Sequence, residues 1–595
     1  MQRSILTASR TASLLRPSWR ARPSSAVSRP RLFTSNHPLL LLTRTNAPRP
    51  QLPFLAQPGA HLPRSLVQRQ VARVLSTENK QYVREQTLLA AKWTGLGFVV
   101  LGLVGFATYS WRCELVERIY PSPAEWSYLT RSAWRSAWLQ YADDVGHMAQ
   151  VDWGRVGKHW RLCLLRLEDQ AGDGRGARQI APQGAAAYGV VRDIGPAAMD
   201  VTEKSEAWKA GYAETVMRAA LAAEHLQDMV FDRRHGTFFP KVTVEGPSNP
   251  NPRLLSPGNV QPREDDCEPA FPDPAVLYNR LAYGIGFSTK QRVDAMLAHA
   301  NWLEFNKNHK AAEEQYQYAQ AVAQYAIATN GSPLHTTELA TAAQGTSIID
   351  KDPASATPNL VSTYTAQATF LSRTSQTKSA LPILLSTLRA VRYAQSHPTP
   401  SSTSGSIAQP APSGPLAEWS AKFFRPDEFP LPLRTGDEPL STLSQAALKC
   451  KEAELMTYIG EILFSTSSGR QNDGLAWTRT ATEQATTTFR DVAAIIRTVQ
   501  GDGSEKERER ERRTGMSRAE REGCRECVIM GLGNWGLMAA RMQENRLETG
   551  EKKTWKGWFT GKQDQQVQDD GARVEVLRSG LIQEGLVEPW AFLGK

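Results

Sequence analysis

The stretch Trp93–Trp111, WTGLGFVVLGLVGFATYSW, holds 19 uncharged residues between Lys92 and Arg112. At 1.5 Å per residue it makes a helix of ~28 Å, which matches the hydrocarbon core of a bilayer. Its four glycines (Gly95, Gly97, Gly102 and Gly105) would weaken an isolated soluble helix, whereas small residues let membrane helices pack closely. Trp93 at one end and Tyr109 and Trp111 at the other are the amphipathic rings that favour the membrane–water interface. The segment has no polar face, so a transmembrane helix is expected over 93–111. No second stretch of this quality occurs, and a multi-pass transporter is excluded.

Charge is distributed unevenly around that span. Residues 1–77 carry twelve arginines, no lysine and no acid, while the whole chain has a net charge of only +10. The basicity therefore belongs to the leader, and the remaining chain is slightly acidic, which argues against nucleic acid as a partner. An arginine- and serine-rich, acid-free leader that opens MQRSILTASRTASLLRPSWR is expected to be a mitochondrial presequence over 1–75. Cleavage within RVLST (Arg73–Thr77), with RLFTS (31–35) as a competing site, would start the mature chain near Ser76. A presequence, one span and a large following domain predict a short matrix tail (76–92). They place the C-terminal domain in the intermembrane space.

Beyond the span the composition turns to Ala, Gln, Glu, Leu, Tyr and Trp. The fold class expected is all-α, a single transmembrane helix followed by a degenerate TPR-like helical solenoid with disordered insertions. The domain reading has a juxtamembrane Trp-rich helical segment (112–168) and an opening helical element (198–244). A Pro-rich loop (245–274) precedes TPR-like repeats (275–394); a Ser/Pro-rich linker (395–440) precedes further repeats and C-terminal helices (441–595). In 112–168, Trp126, Trp134 and Trp138 with Arg131 and Arg135 suit an interfacial helix, a docking surface or a core.

The repeat reading rests on spacing. A residue pattern at i, i+4 and i+7 shares one helix face, and small residues there admit a neighbouring helix. Met296, Ala300 and Leu303 are followed by Ala312, Tyr316 and Ala319. Tyr364, Ala368 and Leu371 are followed by Ala380, Leu384 and Thr387, and Met456, Gly460 and Leu463 by a looser helix through Gly474 and Ala481. The same phasing puts Leu297, Asn301, Phe305, Thr365, Thr369, Arg373, Thr457, Glu461 and Phe464 on a concave face that would form a substrate groove.

Chemistry-bearing motifs are scarce. No HExxH, no phosphate-binding loop and no nucleophile elbow occurs, so no catalytic, cofactor-binding or metal-ligating residue is assigned. Cys524-x-x-Cys527 lacks the second pair a zinc site needs and reads as structural cysteines on a helix. VIMGLGNWGLM (528–538) spells Gly531-x-Gly533-x-x-Gly536, the letters of a dinucleotide turn. It lacks the following strand with a ribose-binding acid. A continuous helix from Cys524 to Met542 is expected instead, with the three glycines as close-packing positions and Trp535 beside them.

An arginine-rich leader, one span, ELVERIYPSPAEWSYLTR (Glu114–Arg131) just outside it, EAELMTYIGEILF (Glu452–Phe464) and GLGNWGLM (Gly531–Met538) together resemble a known family. These are the TPR-containing adaptor subunits of the fungal mitochondrial i-AAA protease supercomplex, of the Mitochondrial-Genome-Required type. The resemblance covers roughly residues 77–560. It implies a non-enzymatic adaptor, with no cofactor and no small-molecule substrate. Such a protein binds the protease and a sister adaptor subunit and recruits unfolded polypeptides at the inner membrane. A TPR scaffold or assembly factor for another inner-membrane complex is the competing expectation.

Overall fold

The structure, a computed structural model, describes residues 77–146, 151–180, 198–256, 260–328, 352–399, 435–466, 468–499, 509–511, 513–548 and 557–592. The leader, its cleavage sites and most of the Ser/Pro-rich linker lie outside the described residues. The chain divides at Gly102 into two units.

Among the described residues, the first unit holds the N-terminal part of helix α1 (Thr77–Ile119). This 43-residue helix continues beyond the expected span at both ends. Among the described residues it is the one helix long and apolar enough to cross a membrane, and its apolar window is wholly exposed. Trp93, Tyr109 and Trp111 are all exposed on it.

The second unit is mostly helical. It begins with the C-terminal part of α1, followed by α2 (Tyr128–Gly146), α3 (Trp153–Glu168), α4 (Glu206–His225) and α5 (Pro274–Ala282). Local sequence starts these helices. Asp152, Ser205 and Asp273 each accept an N-terminal backbone N–H, and Pro274 occupies the first turn where its missing N–H costs nothing. The Trp-rich segment settles as core: Trp126, Trp134 and Trp138 are buried. Trp134 and Trp138 meet the Trp160 ring edge-on at 5.3 and 5.5 Å. Trp126 lies against Gly211, where a Cβ would come within 2.5 Å of the indole.

Two findings depart from the expected helical opening element and loop. Between α4 and α5 an antiparallel hairpin, β3 (Met229–Asp232) and β4 (Thr237–Pro240), is joined by β5 (Cys267–Pro269) on the free edge of β3. Between α3 and α4, β1 (Arg178–Gln179) and β2 (Met199–Asp200) form a separate two-residue pair. The described part of the Pro-rich loop is thus a folded insertion. Gln261 donates to the Arg253 carbonyl at 3.1 Å, Asn249 to that of Val244 at 2.9 Å, and Glu264 accepts the Ser248 N–H at 3.1 Å. Backbone polar groups that helices would satisfy internally are satisfied here by side chains.

Among the described residues, four helical hairpins complete the unit. They are α6 (Thr289–Phe305) with α7 (His309–Ala328), α8 (Pro358–Arg373) with α9 (Thr377–Ser396), α10 (Gln445–Thr466) with α11 (Gln471–Arg497), and α12 (Arg518–Glu548) with α13 (Gly557–Gln583). Each helix packs on the next, and the first helix of a hairpin also meets the first helix of the preceding one. Ala300, Ala312, Tyr316, Ala319, Ala368, Ala380, Leu384 and Gly460 are all buried. A capping box, Ser288 with Gln291, starts α6, and Thr357 before Pro358 starts α8.

The last hairpin returns to the beginning of the unit. Arg518 donates to the Ile119 carbonyl at 3.2 Å and lies 5.0 Å from the Tyr120 ring centroid.

Helix α12 contains the whole glycine motif in its interior, so no phosphate-cradling turn exists there. The expectation of three close-packing glycines is corrected in part. A Cβ at Gly531 would lie 2.6 Å from Thr482 Oγ1, and at Gly536 it would make ordinary 3.6 Å contacts; at Gly533 it would meet nothing within 4 Å. Trp535 is fully buried, as a filler of that interface should be. Gly533→Ala is therefore expected to raise stability by roughly 0.5–1 kcal/mol through helix propensity, whereas Gly531→Leu should lower it by roughly 1–3 kcal/mol. Urea unfolding of the detergent-solubilised chain checks both. A destabilised Gly533→Ala would contradict the open space seen there.

Candidate functional site

The first helices of the first three hairpins, α6, α8 and α10, carry the residues assigned to a groove, and α12 packs beside α10. The side chains of those residues divide into two sets. Thr365, Thr457 and Phe464 are buried, at 5%, 3% and 8% exposure. Both threonine hydroxyls bond back to their own helix, Thr365 to the Val361 carbonyl at 2.7 Å and Thr457 to the Ala453 carbonyl at 2.9 Å. These three do not line an open face. A Thr hydroxyl satisfied by the carbonyl one turn earlier can be buried with little penalty, which is why a helical wheel misplaces it.

Leu297 is half-buried against the core, and Thr369 is half-buried with its hydroxyl on the Ala366 carbonyl at 2.8 Å. Asn301, Phe305 and Arg373 are exposed, Phe305 to 82%. Glu461 is half-buried and accepts a hydrogen bond from Asn534 of α12. Burial pushes the Glu461 carboxyl above the usual range, partly offset by that Asn534 donation.

The polar side chains of these helices form a ladder between hairpins. Arg373 of α8 forks onto Glu304 of α6, Nε to Oε1 at 2.8 Å and a terminal nitrogen to Oε2 at 2.8 Å. The Tyr316 hydroxyl donates to Asn301 Oδ1 at 2.6 Å. On α10, burial raises the Tyr458 phenol, and the carboxylates of Glu454 and Glu461 push it further, with Arg373 opposing. Glu461 and Asn534 then join α10 to α12. Sequence phasing missed Glu304 and Asn534. Glu304 lies one position from Phe305, off the expected groove stripe, and Asn534 was hidden among the glycines.

This arrangement has a plain chemical meaning. Most of the polar groups satisfy each other across helices and hold the hairpins in register. The part left open to a partner is the end of α6 beside α8: Asn301, Phe305 and the exposed half of Arg373. An apolar ring beside a cation and an amide suits a peptide segment. No nucleophile–base pair is formed there, and among the described residues no group of three or more His, Cys, Asp or Glu could hold a metal. A separate cleft of about 590 Å³ is lined by Phe287, Thr289, Thr357, Asp437 and Glu438. Within it Asp437 already accepts from Asn359 at 2.9 Å.

No protein-family model, no curated protein and no solved structure matches this chain.

Proposed function

We propose that the chain is a non-enzymatic, membrane-tethered adaptor of the mitochondrial i-AAA protease. In this reading it sits beside a sister adaptor subunit in the inner membrane, with its large domain in the intermembrane space. There it recruits unfolded polypeptides to the protease through the α6–α8 face of a TPR-like array.

The observation that carries the reading is a repeated turn. Lys307 and Ser375 both take a left-handed backbone, at φ 63° and 65°, a conformation rare outside glycine. Each is followed by the same bond: Asn308 N–H to the Leu303 carbonyl at 2.9 Å, and Gln376 N–H to the Leu371 carbonyl at 2.8 Å. Ala300 and Ala368 precede these turns at matching positions, and Ala312 and Ala380 follow them, all buried. Two hairpins closed by the same turn over the same small residues support a helical-repeat scaffold attached to a membrane-length helix. Tethering such a scaffold beside a protease gives effective concentrations of about millimolar, so weak peptide contacts suffice.

Purification of the full chain in mild detergent is expected to recover an ATP-dependent membrane protease. Recovery of another inner-membrane complex without it would favour the scaffold or assembly-factor reading. Phe305→Ala combined with Arg373→Glu should lower capture of an unfolded model substrate about tenfold, as the loss of an aromatic anchor and a charge does at other interfaces. In the Glu304–Arg373 pair the Arg373 side chain is 55% exposed and that of Glu304 only 14%, so reversal sets a carboxylate against a partly buried one, and urea unfolding of the variant accompanies the capture assay. Unchanged capture by this variant would remove the α6–α8 face from the function. Protection of the C-terminal domain from protease in mitoplasts would overturn the orientation.

A further inference from the structure

A disulfide joins Cys450, in the first turns of α10, to Cys524 of α12, across 74 residues of sequence. Their Cα atoms are 5.3 Å apart, inside the range a disulfide spans without backbone movement. A third cysteine, Cys527, lies one helical turn further along α12, its sulfur 4.0 Å from the Cys450 carbonyl oxygen. The Cys-x-x-Cys of α12 is therefore neither half of a zinc site nor a self-contained pair.

We propose that Cys450–Cys524 is an oxidative maturation site, closed by exchange with a disulfide-bearing oxidoreductase on the side of the membrane that holds the large domain. In the reaction one cysteine thiolate of the pair attacks a sulfur of the donor disulfide, forming a mixed disulfide and releasing one donor thiolate. The second cysteine of the pair attacks the mixed disulfide, forming the Cys450–Cys524 bond and releasing the second donor thiolate. The pair loses two protons and two electrons, and the electrons leave with the donor as its dithiol. Cys524 and Cys450 are only 2% and 6% exposed once packed, so the exchange precedes the docking of α12 on α10.

Cys527 is the competing partner, and its surroundings keep it out. Burial, followed by the Glu454 carboxylate, pushes its thiol up to about 12. Near neutral pH only ~10⁻⁵ of it is the attacking thiolate, so the finished bond does not shuffle. Closing a long loop makes such a bond most stabilising, and it ties the third and fourth hairpins together where Asn534 and Glu461 also meet. A cross-link of this kind persists in an oxidising compartment and not in a glutathione-reduced one. The proposal shares with the adaptor reading only the side of the membrane on which the domain lies, and needs neither the protease nor a substrate.

The test counts thiols in the full chain taken from its own membranes, acid-quenched, denatured and treated with PEG-maleimide. The chain has six cysteines, none of them in residues 1–77, so presequence removal does not change the count. Cys113, Cys163, Cys267 and Cys527 are free, so four adducts are expected before reduction and six after. Cys524→Ser should give about five in both conditions. Six adducts in unreduced wild type would overturn the proposal. So would a Cys524→Ser chain that still gains two adducts on reduction, because the bond would then belong to another pair. If the variant is degraded, the wild-type count alone decides.

Discussion

Replacing Gly474 with valine is expected to unfold the α10–α11 hairpin, at a cost of at least ~3 kcal/mol. The two helices touch backbone to backbone at this point. A Cβ on Gly474 would sit 2.6 Å from the Gly460 carbonyl oxygen and 2.6 Å from the Phe464 nitrogen. From the other side, a Cβ on Gly460 would overlap Thr478 Oγ1 and sit 2.9 Å from the Gly474 carbonyl. Main-chain atoms within a helix cannot rotate aside, and Thr478 is itself held, its hydroxyl on the Gly474 carbonyl at 3.0 Å. Relief requires the whole interface to part, and Ile459 and Ala481 on the two helices lose their packing with it. A domain whose total stability is of order 5–15 kcal/mol tolerates this poorly. Gly469→Ala, a change with nothing within 4 Å, is the control and should be nearly silent. Urea denaturation of the solubilised chain, with limited proteolysis to locate the opening, checks the pair. Equal midpoints for Gly474→Val and Gly469→Ala would show that the helices can part at no cost.

Close helix contacts of this kind are legible in the amino-acid sequence. The third hairpin is the least regular of the three repeat matches, yet Gly460 and Gly474 still mark where two backbones meet. Small residues at i, i+4 spacing leave a sequence signal because no other residue type fits. The small sheet leaves none: β3 and β4 are four residues each, too short for an alternating pattern to stand out beside a 20-residue helix. The hairpin is fixed instead by turn chemistry at its tip. Gly236 takes φ +64°, and Asp232 accepts the Arg234 N–H at 2.8 Å. Nor does phasing say which groove candidates are open. Thr365 and Phe305 lie on equivalent stripes, but the first is covered by the neighbouring helices while the second stands at the end of α6. Pairings across long sequence distance, such as Cys450 with Cys524 or Arg518 with Ile119, carry no local signature at all.

Glu117→Leu is expected to destabilise the start of the second unit by roughly 3–5 kcal/mol, the usual cost of removing one partner from a buried ionic cluster. The carboxylate lies at the end of α1 and is 1% exposed. It accepts from the Ser122 N–H at 3.0 Å, the Ser122 hydroxyl at 2.5 Å, Arg131 at 3.0 Å and Arg135 Nε at 2.5 Å. Burial alone would raise its pKa. The hydrogen bonds from Arg135 and Ser122 outweigh that, and the carboxyl is held below the ordinary glutamate value. A depressed carboxylate stabilises the fold above the unfolded-state pKa of about 4.3, and that contribution is lost as pH falls through the folded value. Wild-type stability should hold from pH 7 to about 5 and then decline into acid, while Glu117→Leu should be weaker throughout and lack that part of the decline. Tryptophan fluorescence reports the transition, because Trp134, which donates to the Tyr120 carbonyl at 3.0 Å, is buried against this cluster. Glu117→Gln keeps the shape and most acceptor capacity but leaves two guanidinium groups without a counter-charge, so it should fall between wild type and leucine. Removing Arg135 together with Glu117 should cost less than the two single changes added, since one buried charge then no longer faces an empty partner. If instead the costs add, Glu117 and Arg135 are not coupled, and the assignment of the destabilisation to their ion pair fails.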